Sequence, residues 1–315
     1  MERVTYSPAF TVVPTYECFN RCDYCNFRME PGQGGILTGE AVRRSLEPHI
    51  NSGVCEVLVL SGEVHPRSPQ RTEWFTQIYK ACAIAVDLGF LPHTNAGPLS
   101  WAEMMALAQV NVSMGLMVEQ VTPQWLETVH RYAPSKQPGL RLQQLRQAGQ
   151  LRIPFTTGIL VGLGETVADR EESLRAIAQI HKEYGHIQEA IIQPYQQGSG
   201  QMSTWPGCSM DELLETVEMA RSLLPTDITI QIPPNLLSQP DTLRAALKAG
   251  ARDLGGVVPV DEVNPDYLHM PLGQMRSLLA TEGFTLEPRL PVYPHYESWL
   301  PLPLQQAIAQ WKQRV

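Results

Sequence analysis

The sequence has few charged residues and no excess of positive charge. Asp, Glu, Lys and Arg make up 18% of its 315 residues, and 32 acidic against 24 basic side chains give a formal net charge of −8. A protein that binds nucleic acid or an anionic membrane surface is expected to carry a basic stripe or tail. The composition therefore argues against both classes. It favours a well-buried globular protein, since 43% of the residues are hydrophobic.

Long hydrophobic runs and export signals are also missing. Residues 1–8 have neither an apolar core nor a small-residue cleavage site, so they are not typical of a signal peptide. The longest weakly polar stretch, residues 153–164, is only about half as long as a membrane span. We therefore predict a cytoplasmic protein with no membrane contact, in which cysteines are more suited to metal binding or redox chemistry than to disulfides.

Short β-rich runs alternate with helical periods along the chain. Val42, Leu46 and Ile50 recur at helical spacing, and Ser209 with Glu212 forms a capping box at the start of another helix. Eight strand–helix alternations in about 300 residues predict an α/β fold with a parallel sheet, most simply a (βα)8 TIM-type barrel, complete or partly open. The predicted strands are residues 10–15, 55–60, 90–93, 111–117, 154–161, 190–194, 228–232 and 254–257.

No linker divides the chain, and no segment repeats at a fixed period. We therefore predict a single domain over residues 1–315. Its proline-rich tail, from about residue 261 to 315, is expected to be the last helix followed by a C-terminal extension wrapped on the barrel.

Three of the six cysteines lie within eight residues. Cys18, Cys22 and Cys25 have the spacing C-x3-C-x2-C and follow the first predicted strand, where a barrel presents its active face. Closed zinc sites and ordinary iron–sulfur clusters take four protein ligands, and no fourth cysteine or histidine follows at zinc-ribbon spacing. Three cysteines on a 4Fe–4S cluster would leave one iron open for a substrate or cofactor.

Two alternatives remain for this motif: a zinc site completed by a distant histidine, and a redox pair formed by Cys22 and Cys25. The other three cysteines have a simpler interpretation. Cys55 and Cys82 lie on apolar stripes and Cys208 stands beside a helix start, so all three are predicted to be packed thiols without a ligand role.

The cysteine spacing resembles the C-x3-C-x-φ-C loop of the radical S-adenosylmethionine (SAM) superfamily, with Tyr24 at its aromatic position. That resemblance implies a 4Fe–4S cluster on Cys18, Cys22 and Cys25 and a bound SAM. Residues 61–63 resemble the family's Gly-Gly-Glu-like motif, and residues 158–165 resemble its G-x-I-x-G-x-x-E motif. The SAM-binding residues that the resemblance implies are Tyr24, Ser61, Gly62, Glu63, Ser113, Glu119, Arg141, Gly158, Gly162 and Glu165.

Longer segments resemble one family within this superfamily, the CofG subunits of deazaflavin synthases. They are residues 17–28, 61–66, 91–99, 111–117, 153–158, 253–256 and 263–265. The resemblance implies a carbon–nitrogen lyase of the ammonia-lyase class. Its substrate would be the adduct 5-amino-5-(4-hydroxybenzyl)-6-(D-ribitylimino)-5,6-dihydrouracil, and its products a cyclised deazaflavin, ammonia, 5′-deoxyadenosine and methionine. It further implies a one-electron donor and a partner synthase, CofH, that supplies the adduct.

Residues at the carboxyl ends of barrel strands are expected to face the substrate. Neutral amides and hydroxyls predominate over Lys and Arg at these positions, which suits a neutral substrate rich in hydrogen-bonding groups. Candidate acid/base groups for ammonia loss are His93 and His65, because the pKa of histidine lies near neutrality. The predicted substrate-binding residues are Thr94, Asn95, Thr157, Gln193, Asn235 and Asp253.

Two other functions remain open on this sequence. Another radical SAM barrel enzyme, of the biotin-synthase-like or aminofutalosine type, would keep the cofactor residues and act on a different substrate. A non-catalytic iron–sulfur or zinc protein would hold a metal at the cysteines and cleave no SAM.

Overall fold

The computed structural model describes residues 2–199, 201, 205–237 and 239–314, and strands and helices alternate through this part of the chain. The strands are β1 (Glu2–Val12), β2 (Glu56–Leu60), β3 (Leu91–Asn95), β4 (Ser113–Gly115), β5 (Phe155–Val161), β6 (Ile187–Pro194), β7 (Thr229–Gln231), β8 (Asp253–Val257) and β9 (Phe284–Pro288). The helices are α1 (Gly39–Leu46), α2 (Arg71–Asp87), α3 (Trp101–Leu107), α4 (Pro138–Gln150), α5 (Val167–Tyr184), α6 (Met210–Leu223), α7 (Pro240–Ala249), α8 (Leu272–Ala280) and α9 (Leu302–Lys312). Among these residues, no helix is long and apolar enough to cross a membrane.

Strands β1 to β8 close into a parallel barrel. Each of β2 to β7 pairs with the strand that follows it, and β1 pairs with both β2 and β8. Outward-facing side chains such as Val57, Val59 and Ile159 are fully buried in the layer between the strands and the surrounding helices. The predicted TIM-type barrel is therefore confirmed, in its closed form.

All eight predicted strands are present, but their ends differ from the prediction. The fourth strand shortens from residues 111–117 to Ser113–Gly115. The first begins at Glu2 instead of residue 10, because its first half pairs with β9. That partner is distant in sequence, so the local apolar pattern gave no sign of it.

The C-terminal tail contains this ninth strand, which the sequence analysis missed, and then crosses the N-terminal end of the barrel. Strand β9 runs parallel to β1, outside the barrel. Beyond it, the Pro291 carbonyl accepts a hydrogen bond from Ser113 of β4, and Trp311 of α9 donates to the Gly89 carbonyl at 2.7 Å. Tyr296 is buried in an apolar cluster with residues of α9 and of the barrel. The tail thereby packs over the end of the barrel opposite the cysteines.

Three carboxylates, those of Asp253, Glu189 and Glu56, surround Arg289 inside this N-terminal end of the barrel. Arg289 donates from Nε to Asp253 at 2.6 Å and from Nη2 to the other oxygen of Asp253 at 2.8 Å, and it also pairs with Glu189. Burial raises the pKa of the Glu56 carboxyl and raises that of Glu189 to about 7. Although burial alone would lower it, Asp253 and Glu189 hold the pKa of Arg289 well above its usual value. The guanidinium therefore stays charged and neutralises only part of the cluster.

Candidate active site

The loop after β1 carries the three cysteines to the C-terminal end of the barrel. Both oxygens of the Glu17 carboxylate accept hydrogen bonds at 2.8 Å from the backbone N–H groups of Gly32, Gly34 and Gly35, which closes the base of the loop. The Phe19 N–H donates to the Glu63 carbonyl at 3.0 Å, joining the loop to the residues that follow β2. Cys18, Cys22 and Cys25 consequently line one cavity.

The three thiols are free, and their surroundings fit a metal cluster. Burial raises the pKa of the Cys18 thiol and raises that of Cys22 to about 12, so a bound metal would have to displace their protons. The described residues include no group of three or more His, Cys, Asp or Glu side chains that could hold a metal ion. Three free thiols on the wall of one cavity are, however, the donor set that a thiolate-bound iron–sulfur cluster would take, with one iron left open.

A buried network of two carboxylates and two cations forms another wall of this cavity. Arg141, only 1% exposed, donates from Nη2 to Glu63 at 3.2 Å, and its Nη1 lies 3.7 Å from Glu119. Lys136 donates from Nζ to the same Glu119 oxygen at 2.5 Å. Burial alone would raise the pKa of Glu119, but the two cations hold it below its usual value. The cavity thus has ionic groups of both signs within hydrogen-bonding reach of one another.

Further contacts hold the Glu63 carboxylate in one place. Asn20 donates from Nδ2 to its Oε2 at 2.9 Å, and the Ser135 hydroxyl donates to the same oxygen. Gly97, with φ at +78°, lies so close that an added Cβ would stand 2.3 Å from the carboxylate carbon. Asn20, Ser135 and Lys136 were not predicted as site residues. Of the three, only Asn20 has a signal in the sequence, which is its place between two cysteines of the motif.

Eleven of the predicted site residues line the cavity. They are Cys18, Cys22, Tyr24, Cys25, Ser61, Gly62, Glu63, Asn95, Glu119, Arg141 and Gln193. The Tyr24 hydroxyl lies 2.9 Å from Nε2 of His130, and burial raises the Tyr24 pKa well above its usual value, so Tyr24 is neutral. Its ring packs beside Leu160 and Trp125 and forms part of the wall.

Four of the predicted substrate-binding residues do not line this cavity. Successive side chains of a strand point to opposite faces. Thr94 therefore faces outward and donates to Asn111 at 2.7 Å, and Thr157 donates to the Leu116 carbonyl at 2.8 Å. Asn235 donates to Asp261 in the loop after β8, at 2.8 Å. Asp253 belongs to the arginine cluster at the far end of the barrel. The structure thus places these four side chains away from the cavity that the other predicted residues line.

Residues 158–165 form the end of β5 and the turn that follows it, and Glu165 of this segment does not line the cavity. The Glu165 carboxylate accepts from the N–H groups of Gly162 and Leu163, both at 2.9 Å, and lies 3.4 Å from Arg170. Gly162 has φ at +102° and packs against the backbone of Cys208. Of this segment, Leu160 lines the cavity. Gly162 and Glu165 thus form the turn after β5, and Gly158 packs against Ile191 of β6, so none of the three lines the cavity. Their expected SAM contacts stay predictions.

The two candidate histidines lie at different depths. His93 is inside the barrel with Ser113, below the cavity, and burial lowers its pKa to about 3. The expectation that its pKa lies near neutrality is therefore wrong. His65 lines a second cavity, of about 450 Å³, that borders Glu63, and its Nδ1 accepts from the Arg67 N–H at 3.1 Å. Ser113, expected to bind SAM, instead joins β4 to the C-terminal tail.

Amide side chains predominate on the part of the cavity formed after β6 and β8. These are Gln193, Gln196 and Asn264, with Asn26 of the cysteine loop beside them. Three loops meet here: the Tyr16 hydroxyl donates to Glu262 at 2.6 Å, and the Tyr267 hydroxyl donates to the Gln197 carbonyl at 2.7 Å. The cavity therefore has an ionic side near β2 and β4 and a neutral, hydrogen-bonding side near β6 and β8.

Comparison with known proteins agrees with this geometry. Residues 12–177 match the profile of the Radical SAM superfamily. Curated proteins named 7,8-didemethyl-8-hydroxy-5-deazariboflavin synthase are similar along nearly the whole chain. The protein of Synechococcus elongatus is 58% identical, over 99% of this chain and 93% of its own. The protein of Thermosynechococcus vestitus is 57% identical, over 98% of each chain.

Solved structures share the barrel. The FeFe-hydrogenase maturase HydG from Carboxydothermus hydrogenoformans superposes with a TM-score of 0.73 at 16% identity, over 99% of this chain and 78% of its own. Methylornithine synthase superposes with a TM-score of 0.70 at 15% identity, over 95% of this chain and 86% of its own. At such low identities the likeness is one of fold alone.

Proposed function

Since the chain belongs to the radical SAM superfamily and, within it, to the 7,8-didemethyl-8-hydroxy-5-deazariboflavin (FO) synthase family, we propose that it closes the deazaflavin ring of FO. It is a radical SAM enzyme of deazaflavin biosynthesis. The proposed substrate is the adduct 5-amino-5-(4-hydroxybenzyl)-6-(D-ribitylimino)-5,6-dihydrouracil. The proposed products are FO, ammonia, 5′-deoxyadenosine and methionine, which makes the enzyme a carbon–nitrogen lyase.

The observation that carries this proposal is the division of one cavity into an ionic and a neutral side. The ionic side suits the methionine end of SAM, which has an ammonium and a carboxylate. Glu63 would hold the ammonium, and Arg141 with Lys136 would hold the carboxylate. The cysteine loop borders both sides, so a cluster on Cys18, Cys22 and Cys25 would stand next to both ligands.

The neutral side suits the uracil and ribityl groups of the adduct. Side-chain amides both donate and accept hydrogen bonds, as uracil and hydroxyl groups require. Gln193, Gln196 and Asn264 supply three of them. Arg28 lines the same cavity and has a buried Nε without a hydrogen-bond partner among the described residues, which makes it a further donor for a substrate oxygen.

When bound, the cluster and SAM supply a 5′-deoxyadenosyl radical that removes a hydrogen atom from the substrate. The tasks of the protein are to hold that hydrogen at near-attack distance and to exclude water. Hydrogen bonds join the loops after β1, β6 and β8 to one another, which would keep their side chains in place around the substrate: Ser199 donates from its backbone N–H to Asp266 at 2.6 Å, and the Tyr16 hydroxyl donates to Glu262.

Two partners and a compartment belong to the proposal. The partner synthase CofH supplies the adduct, and a one-electron donor reduces the cluster. We place all three proteins in the cytoplasm, where thiols stay reduced and available as ligands.

The test is to supply the adduct to the anaerobically reconstituted protein with SAM and a reductant, and to look for the fluorescence of FO. Appearance of FO supports the proposal. If 5′-deoxyadenosine forms only with an unrelated substrate, the protein is another radical SAM enzyme, of the biotin-synthase-like or aminofutalosine type. If SAM is not cleaved under any condition, the protein is a non-catalytic metal protein.

A further inference from the structure

A chain of short hydrogen bonds links the C-terminal extension to His93. The Ser113 hydroxyl oxygen lies 2.7 Å from the Pro291 carbonyl oxygen and 2.7 Å from Nδ1 of His93. Gln188 donates from Nε2 to the same carbonyl at 3.0 Å and accepts at Oε1 from the Tyr293 N–H at 3.3 Å. The Pro291 carbonyl is thereby held in place from two directions.

This series of hydrogen bonds determines which ring nitrogen of His93 carries a hydrogen. A carbonyl oxygen only accepts, and a serine hydroxyl has a single hydrogen to donate. Ser113 donates it to Pro291, so at its other contact it accepts, and Nδ1 of His93 is the donor. Burial and the nearby Arg289 lower the pKa of His93 to about 3, so the ring is neutral near pH 7 and Nε2 carries no hydrogen.

Nε2 lies in the barrel interior, one layer below the candidate cavity. Alternate residues of a strand share a face. His93 precedes Asn95 by two positions on β3, and Gly115 precedes Met117 by two positions at β4. Both Asn95 and Met117 line the cavity. Nε2 stands 3.0 Å from the position that a Cβ on Gly115 would take, so this glycine leaves room for the ring.

Nothing in the described part of the chain hydrogen-bonds to Nε2, although His93 is only 8% exposed. Nε2 is not one of the fully buried side-chain atoms that lack a partner, so it keeps some access from the barrel interior. A ligand group that donates at this point would form a hydrogen bond with it. The position and protonation state of the nitrogen therefore suit an N–H or O–H group of the occupant of the cavity.

We propose that Nε2 of His93 is a hydrogen-bond acceptor for a hydroxyl or N–H group of the substrate at the floor of the cavity, and that Ser113 and Pro291 are positioning residues that keep this nitrogen free of hydrogen. The inference deepens the proposed function, whose substrate carries ribityl hydroxyls and ring N–H groups. A substrate group that only accepts, such as a carbonyl or a phosphate oxygen, is disfavoured there.

The first experiment measures the tautomer without any turnover. Reconstituted protein with ¹⁵N-labelled histidine rings and an oxidised cluster is studied by NMR, and His93 is assigned from its loss in His93→Gln. We expect a protonated Nδ1 and an unprotonated Nε2 from pH 6 to 8. In Ser113→Ala, Nδ1 loses its acceptor and the Nε2–H form becomes populated. A protonated Nε2 in the wild-type protein overturns the inference.

The second experiment adds the adduct and compares two variants of His93. Glutamine places an amide oxygen near the position of Nε2, whereas asparagine reaches only the position of Nδ1. We expect the KM for the adduct to rise about tenfold in His93→Asn and less than about threefold in His93→Gln. Equal KM values for the two variants contradict the acceptor role.

The outcomes separate this inference from the proposed function. If the wild-type protein forms no FO, the proposed function fails. If it forms FO but the adduct leaves the Nε2 resonance of His93 unmoved, the acceptor role fails and the function stands. If FO forms and the Nε2 resonance shifts on adding the adduct, both are supported.

Discussion

Arg141 donates from Nη2 to the Glu63 carboxylate at 3.2 Å, although the two residues are 78 positions apart in the chain. The pair joins the residues after β2 to the helix α4 and has Lys136 and Glu119 beside it. Burying charges is costly unless each is paired and hydrogen-bonded. Every charge of this network is paired and hydrogen-bonded, and its place beside three free thiols agrees with the zwitterionic ligand proposed above.

Replacing Arg141 with lysine should weaken SAM binding although the charge is kept. The guanidinium donates to Glu63, to the Met117 carbonyl at 2.6 Å and to the Ser135 carbonyl at 3.2 Å, a fork that an ammonium cannot reproduce. We expect the Kd of SAM to rise about tenfold or more, measured by anaerobic calorimetry. Arg175→Lys, at an exposed pair on α5, is the matched control. Unchanged affinity in Arg141→Lys would show that this network does not hold SAM.

Replacing Gly97 with alanine should displace Glu63. Gly97 and Gly89 both have positive φ, +78° and +88°, so alanine costs each about 1–2 kcal/mol of backbone strain. At Gly89, however, the new methyl group meets nothing within 4 Å, whereas at Gly97 it overlaps the Glu63 carboxylate. We expect a loss of stability in both variants, larger in Gly97→Ala because of the overlap, and a loss of SAM affinity only in Gly97→Ala. If SAM affinity fell equally in both variants, the claim that SAM binding depends on the position of the Glu63 carboxylate would be contradicted.

Changing the cysteines should separate ligands from packed thiols. Alanine at Cys18, Cys22 or Cys25 is expected to reduce the iron content after anaerobic reconstitution from about four per chain to near zero. Cys208→Ala is the control, because Cys208 packs against Gly162 and does not line the cavity. The measurement is iron per chain together with the electron paramagnetic resonance signal of the reduced cluster. Full iron loading in any of the three variants would contradict the ligand assignment of that cysteine.

Stability should fall as the pH rises through the range in which Glu189 ionises. Burial raises its folded-state pKa from 4.5 to about 7, so the folded state binds more protons than the unfolded state in this interval. The stabilising contribution of Glu189 to the free energy of unfolding is therefore fully present below about pH 4.5, and it is lost as the pH rises through about 7. It amounts to the order of 1–3 kcal/mol at most.

The measurement is urea unfolding at pH 5 and pH 8 for the wild type and for Glu189→Gln, which keeps a hydrogen-bonding amide. The loss of stability between the two pH values should be smaller in the variant. Glu183→Gln, on an exposed position of α5, should behave like the wild type. Buried histidines such as His186, whose pKa is lowered to about 3, have the opposite pH dependence, so only the difference between variants is diagnostic. An identical loss of unfolding free energy between pH 5 and pH 8 in all three proteins would contradict the raised pKa of Glu189.

The barrel was predictable because each strand has its own apolar run and each helix its own period. Strand β9 was not, since Phe284–Pro288 is a strand only by pairing with β1. The cysteine loop was predictable from its spacing, and Glu63 and Arg141 from the resemblance that it supports. Lys136 lies in no motif, and only the folded chain brings it to Glu119.

The errors at the site have a common cause: a position at the end of a strand does not give the direction of its side chain. Thr94 and Thr157 are close to the cavity in sequence, yet both face away from the barrel interior. His93 faces inward, but its burial, which the sequence does not reveal, removes the near-neutral pKa that motivated its catalytic role.

The most direct test of the account is the stoichiometry of a complete reaction. Reconstituted protein, SAM, a reductant and the adduct should give FO, ammonia, 5′-deoxyadenosine and methionine in a ratio of about one to one to one to one, because the proposed reaction consumes one SAM for each ring closed. Formation of 5′-deoxyadenosine and methionine from the adduct mixture without FO and ammonia would contradict the proposed ring closure.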